Sequence, residues 1–178
     1  MNIQAQRIKQ ISVAVMNENI AFPFSRYTPL HPGGELGLTL KQQFKPQSVR
    51  QFNVYAGGFY HKKVETGFYI RGEYLHQLII AKKIGIQLPL GIGYMHTFYP
   101  GEIYELNTTT GEFEKGNQSG RPHLIANVGL GLTYINNSGI APFIKQNLTI
   151  ETPFANGIPL IPHSFIKLGV TIKISSNE

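Results

Sequence analysis

Apolar and polar residues alternate along most of this chain with a period of two. In the closing segment, Ser164, Ile166, Leu168, Val170, Ile172 and Ile174 share one face, while Phe165, Lys167, Gly169, Thr171 and Lys173 share the other. Successive side chains of a strand point to opposite faces, so the segment 163–174 is expected to be a strand with one apolar and one polar wall. The same rhythm predicts seven more strands, over about 8–16, 33–44, 50–61, 65–79, 83–99, 121–135 and 140–152. The first has the weakest pattern. Pro89, inside the fifth, has no N–H to give a ladder, and a bulge is expected there. Between the fifth and sixth strands, Ile103-Tyr104 and Glu112-Phe113 flank Thr110-Gly111, which suggests a hairpin projecting from the body.

The connections are sorted by length. Tight turns follow the second, fourth and sixth strands, at 45–48, near Ala81-Lys82 and at 136–139. The links after the first, fifth and seventh run over 17–32, 100–120 and 153–162, and a short one at Lys62-Lys63 follows the third. With eight strands, all the tight turns and both chain ends fall at one end. Transmembrane barrels of outer membranes have this asymmetry, with short turns inside and long loops outside. The expectation is one domain over 1–178, an eight-stranded antiparallel up-and-down transmembrane β-barrel in the cell outer membrane. Leu36, Leu38, Ile86, Leu88, Leu90, Leu130, Leu132, Leu168 and Val170 would face lipid. Tyr60, Phe68 and Phe98 at one end, and Phe52, Tyr74 and Tyr134 at the other, resemble two interfacial girdles. The same alternation would suit a soluble barrel with its apolar face turned inward.

Composition narrows this little further. No run of 18 apolar residues exists, which leaves strands as the means of crossing a bilayer. The formal charge is +6, but the cations are scattered, with no pair longer than Lys62-Lys63 or Lys82-Lys83, so no nucleic-acid partner is expected. Cysteine is absent, which removes disulfides and thiolate chemistry. Ile3-Gln4-Ala5-Gln6 reads as the remnant of a secretory signal, making 1–7 an N-terminal tail and 175–178 a C-terminal one.

Several segments carry a likeness to known proteins: Ala21-Phe-Pro-Phe24, Leu30-His-Pro-Gly-Gly-Glu-Leu-Gly37, Tyr60-His-Lys-Lys63, Gly91-Ile-Gly-Tyr-Met-His-Thr-Phe98, Gly120-Arg-Pro-His123 and Lys167-Leu-Gly-Val-Thr-Ile-Lys-Ile174. With these the chain resembles the small outer-membrane β-barrel proteins of the Bacteroidota. The resemblance implies fold and location, not a chemical role. The strand ends on Ile174 rather than on the aromatic residue usual in such barrels.

By parity the polar wall places Glu35, Lys41, Arg71, Glu73, Lys145, Glu151, Lys167 and Lys173 inside a narrow lumen, where opposite charges would pair and plug the barrel. His31, His61, His123 and His163 fall where strands meet the long loops, all pointing inward. Imidazoles gathered there suit Zn²⁺, Cu²⁺ or haem iron, although the spacings match no metal motif and a hydrogen-bonding role at the rim is the plainer reading. No cofactor and no catalytic group is assigned. The leading expectation is a structural or interaction barrel, or an accessory subunit of a larger outer-membrane complex, working through its external loops. Ligand or metal binding at the mouth comes second. An outer-leaflet lipid hydrolase around His96 comes third, because no serine or acid is placed beside that histidine.

Overall fold

The computed structural model describes residues 8–80, 83–102, 104–116, 119–136, 138–154 and 157–174. Both predicted tails, 1–7 and 175–178, lie outside the described residues. The strands are β1 (Gln10–Asn19), β2 (Pro32–Lys45), β3 (Ser48–Tyr60), β4 (Thr66–Ile80), β5 (Ile84–Phe98), β6 (Tyr104–Leu106), β7 (Phe113–Lys115), β8 (Arg121–Tyr134), β9 (Ile140–Thr152) and β10 (Ile161–Lys173). Eight of them close an antiparallel barrel in the order β1-β10-β9-β8-β5-β4-β3-β2. The weakly patterned first strand belongs to it, paired with β10 from Gln10↔Lys173 to Asn19↔Ser164 and with β2 on its other edge. Closure leaves no strand edge unpaired, which the interior of a bilayer requires. The remaining pair, β6 and β7, forms a separate two-stranded ribbon in the loop between β5 and β8. Ile103 lies outside the described residues.

The apolar face points outward. Leu36, Leu90, Ile92, Leu124, Leu132 and Leu168 are all exposed, whereas Tyr55, Tyr69, Arg71, Glu73, Asn127 and Lys167 on the opposite face are buried. A soluble barrel with an inward apolar face is thereby excluded. The lumen is filled in layers. From the long-loop end come a Glu/His cluster, an apolar layer around Phe59, Met95, Ile125 and Phe165, a charged layer around Arg71, and a polar vestibule at the short-turn end.

Three local features depart from the sequence expectation. Lys41 lies on the outside, opposite Phe52, because a bulge between Thr39 and Lys41 inserts an extra residue and inverts the parity of the rest of β2. Lys173 is exposed at the short-turn rim rather than enclosed. Pro89 makes no bulge: the register with β8 is the same on either side, from Gln87↔Gly131 to Leu90↔Val128, and pairing lapses only at the two residues between.

The loop between β1 and β2 folds over the outer wall. Asn17, on the outward face of β1, clasps it through Nδ2 to the Tyr27 carbonyl at 2.9 Å and through Oδ1 from the His31 N–H at 2.7 Å. Phe24 lines one apolar cavity with Leu130, Leu132, Ile144 and Ile166. Two polar residues of the outward rows, Gln146 and Ser164, are buried there, joined from Gln146 Nε2 to Ser164 Oγ at 2.7 Å. A polar pair facing bare hydrocarbon would be costly, and this bond satisfies one donor of the amide and the hydroxyl oxygen.

Candidate metal centre at the long-loop end

Glu18, the ninth residue of β1, points into the barrel with both carboxylate oxygens occupied on different sides. Oε1 meets His163 Nδ1 at 2.9 Å, and Oε2 lies 3.1 Å from His61 Nδ1 and 3.6 Å from His31 Nδ1. The His31 and His61 rings stack with centroids 3.5 Å apart. Glu18, His31 and His61 thus form one buried triad with converging ligand atoms. Four-coordinate Zn²⁺ with bonds of about 2.0–2.1 Å separates its ligand atoms by about 3.3 Å, close to these spacings. His31 Nδ1 also lies 2.8 Å from the Glu18 carbonyl oxygen, to which it donates when protonated, so Glu18 and His61 are the firmer ligands. Burial holds the His61 imidazole below its ordinary pKa against the pull of the Glu18 carboxylate. A neutral ring keeps a lone pair to offer.

A second triad adjoins the first. His163 Nε2 lies 2.8 Å from Glu151 Oε2 and 3.7 Å from Glu65 Oε1. With carboxylates at both nitrogens, His163 donates to both only as imidazolium. His123 closes the group, with Nδ1 at 2.6 Å from the Pro153 carbonyl and 2.8 Å from Glu151 Oε1, and Nε2 at 2.8 Å from Thr97 Oγ1. Glu18, Glu65 and Glu151 are all fully buried. Arg121, half exposed at the rim, lies 3.7 Å from Glu65. Beyond these ion-pair contacts, Glu18 Oε2, Glu151 Oε1 and His61 Nδ1 have no well-aligned hydrogen bond among the described residues. Three carboxylates buried side by side among imidazoles form a group that a bound cation would balance.

The four histidines therefore gather at one mouth, His31 with His61 and His123 with His163, on either side of Glu18 and Glu151. Sequence reasoning overlooked Glu18 and Glu65. Glu65 carried a signal, since it shares parity with the inward Tyr69, Arg71 and Glu73. Burial first, and the negative charge of Glu151 second, push Glu65 up to about 7, with His163 opposing them. The folded protein then holds this proton more tightly than the unfolded chain. Between 4.5, the ordinary value for a glutamate, and about 7, Glu65 contributes less stability as pH rises. Glu65→Gln is expected to flatten the fall in stability across that window, read as urea midpoints at successive pH values.

Deeper in the lumen, Arg71 Nη1 pairs with Glu35 at 2.7 Å and Nη2 with Glu73 at 3.2 Å. Lys167 Nζ shares the same Glu35 oxygen at 2.7 Å. Lys145 Nζ bonds the Tyr55 hydroxyl at 3.5 Å. His96 lies apart on the outer face. Its Nε2–H donates to the Ser119 carbonyl at 2.9 Å, leaving Nδ1 to accept from the Tyr94 hydroxyl at 2.9 Å. Gly120, with φ of 75°, allows the chain to pass against that ring, where a β-carbon would collide with Nε2. Among the described residues His96 forms no ion pair with a carboxylate.

The chain matches no protein-family model and no curated protein sequence, so the likeness to Bacteroidota barrels rests on its own segments. Solved structures do match over nearly the whole chain. Neisserial surface protein A aligns with a TM-score of 0.60 at 9% identity, covering 94% of this chain and 96% of that one. The fold is that of a small outer-membrane β-barrel. The outer membrane enzyme PagL aligns at 0.51 with 14% identity, over 93% and 99% of the two chains. The attachment invasion locus protein Ail of Yersinia pestis aligns at 0.50 with 12% identity, over 94% and 98%. At these identities the likeness is one of fold, and the barrel's apolar exterior and charged interior agree with it. The outward apolar face of the barrel suits a lipid environment.

Proposed function

We propose that this outer-membrane barrel binds a divalent transition-metal ion at its external mouth, through Glu18, His31 and His61. The observation that carries the reading is the convergence of two buried ligand atoms, Glu18 Oε2 and His61 Nδ1, 3.1 Å apart beside a second imidazole, His31. Two imidazoles and a carboxylate suit Zn²⁺ or Cu²⁺ better than Ca²⁺ or Mg²⁺, which prefer oxygen. Haem fits less well, since rings stacked 3.5 Å apart leave no slot for a porphyrin between them. By the outer-membrane convention the long loops face outside, so the site would sample ions of the surroundings. Calorimetry of tag-free protein with ZnCl₂ and CuCl₂ at neutral pH tests the reading. Binding near micromolar is expected, weakened more than ~100-fold by joint Glu18→Gln and His61→Ala replacement, since even supporting residues are worth ~10–100-fold. Binding weaker than millimolar, or indifferent to those changes, rejects it.

A second reading, an interaction barrel or accessory subunit of a larger complex, is favoured by apolar side chains on the long loops. Phe22, Leu30 and Phe113 are 68%, 75% and 71% exposed, more than a surface without partners needs. A partner retained in mild detergent by the native chain, and lost when these three become serine, would support it.

A further inference from the structure

The opposite end of the lumen holds a cavity of about 260 Å³ that opens between the short turns. Its wall carries Gln10, Ser12, Thr39, Gln51, Gln77 and Gln87, neutral groups that both give and accept hydrogen bonds, and Lys145 also lines it. Among the described residues the buried Gln87 Oε1 has no hydrogen-bond partner.

Lys145 is the unusual member. It is 6% exposed, and among the described residues its ammonium forms no ion pair with a carboxylate. Its contacts are the Tyr55 hydroxyl at 3.5 Å and the faces of Phe143 and Tyr55, with Nζ 4.7 and 5.6 Å from the ring centroids. The charge balance of the layer explains why. Arg71, Lys167 and Lys145 are three buried cations, and Glu35 and Glu73 are the two carboxylates beside them. Both carboxylates are engaged, Glu35 by Arg71 and Lys167, and Glu73 through Oε2 alone by Arg71 and by Asn127 Nδ2 at 3.3 Å. One positive charge is left over, next to a polar cavity. A buried unpaired charge is unfavourable unless something supplies its counter-charge. The exposed Lys173 at the rim adds a second positive group on the way in.

We infer that this vestibule is a binding site for a small monocarboxylate rich in hydroxyl or amide groups, whose carboxylate pairs with Lys145 while its neutral groups bond the glutamine and threonine wall. A sugar acid and the C-terminus of a short peptide share this chemistry, and both fit a cavity of this size better than a bulky ligand does. In the outer-membrane orientation the vestibule faces the periplasm, so the ligand would come from that side. The site stands independently of the metal reading at the other mouth.

The test is an NMR titration of the full barrel in detergent micelles with four probes: galacturonate, N-acetyl-alanyl-alanine, and their neutral counterparts galactose and N-acetyl-alanyl-alanine amide. Shifts at Gln77, Gln87 and Thr133 from one or both carboxylates are expected, at least ~10-fold tighter than from the neutral counterpart, as a direct charge pair supplies roughly that factor. Which carboxylate binds tells the sugar source from the peptide source. Lys145→Met should abolish the preference while the barrel keeps its folded migration, because the change removes an unpaired charge. Lys173→Gln, a surface change safe for folding, should weaken carboxylate binding a few-fold. No localised shifts from either carboxylate, equal response to the neutral probes, or unchanged binding in Lys145→Met would each overturn the inference.

Discussion

Glu35→Gln is expected to lower the stability of the barrel by ~3–5 kcal/mol, the range for removing one member of a buried ion pair. Glu35 Oε2 alone receives Arg71 at 2.7 Å, Lys167 at 2.7 Å and the Tyr69 hydroxyl at 2.5 Å. Loss of its charge leaves Arg71 with Glu73 but strips Lys167, which is fully buried, of its carboxylate. The companion change Lys167→Met should recover much of the loss, because the double variant no longer carries the stranded ammonium. Urea midpoints in lipid vesicles give both numbers. A single variant as stable as the native protein would mean that the charged layer does not hold the lumen together.

The second large effect lies on the outer wall. Leu90→Arg, near the middle of β5 and 63% exposed, should cost ~2–4 kcal/mol in a bilayer, where a guanidinium at mid-depth must be hydrated or dragged to the surface. The same change in β6 or β7, at Leu106 or Phe113 on the loop ribbon, should be nearly neutral, since those side chains stand clear of the barrel. Refolding free energies in vesicles separate the two. Equal costs at Leu90 and Leu106 would argue against the assigned lipid-facing band.

These two layers were legible in the sequence to different degrees. Which residues face lipid follows from a period of two, and Leu88, Leu90, Leu130 and Leu132 announce it by themselves. Lys41 misled because one extra residue at Thr39/Lys41 reverses parity without any glycine or proline to mark it. The mouth cluster was half visible. His61 and His123 could be placed on the inward face from their own strands, but Glu18 meets His163 only because β1 closes on β10, a pairing between the two ends of the chain. Its strand also runs further than its apolar pattern, through Asn17 and Asn19, which face outward as polar residues beneath the folded-back loop. Ser164 and Gln146 interrupt otherwise apolar rows, and that interruption was the sequence's one trace of the loop's position.

Closure between β1 and β10 also sets an order of events. Every other neighbouring pair in the wall joins strands that follow one another around the chain, so each can zip up by a local turn or loop. The β1–β10 seam cannot form until the last residues have been delivered, and both Glu18 and His163 belong to it. A nascent chain therefore carries its mouth glutamate and histidine on two free edges, apart, through nearly the whole of assembly. The Glu18–His163 bridge comes into being in the same step that seals the wall, so any unclosed barrel left behind would also lack it.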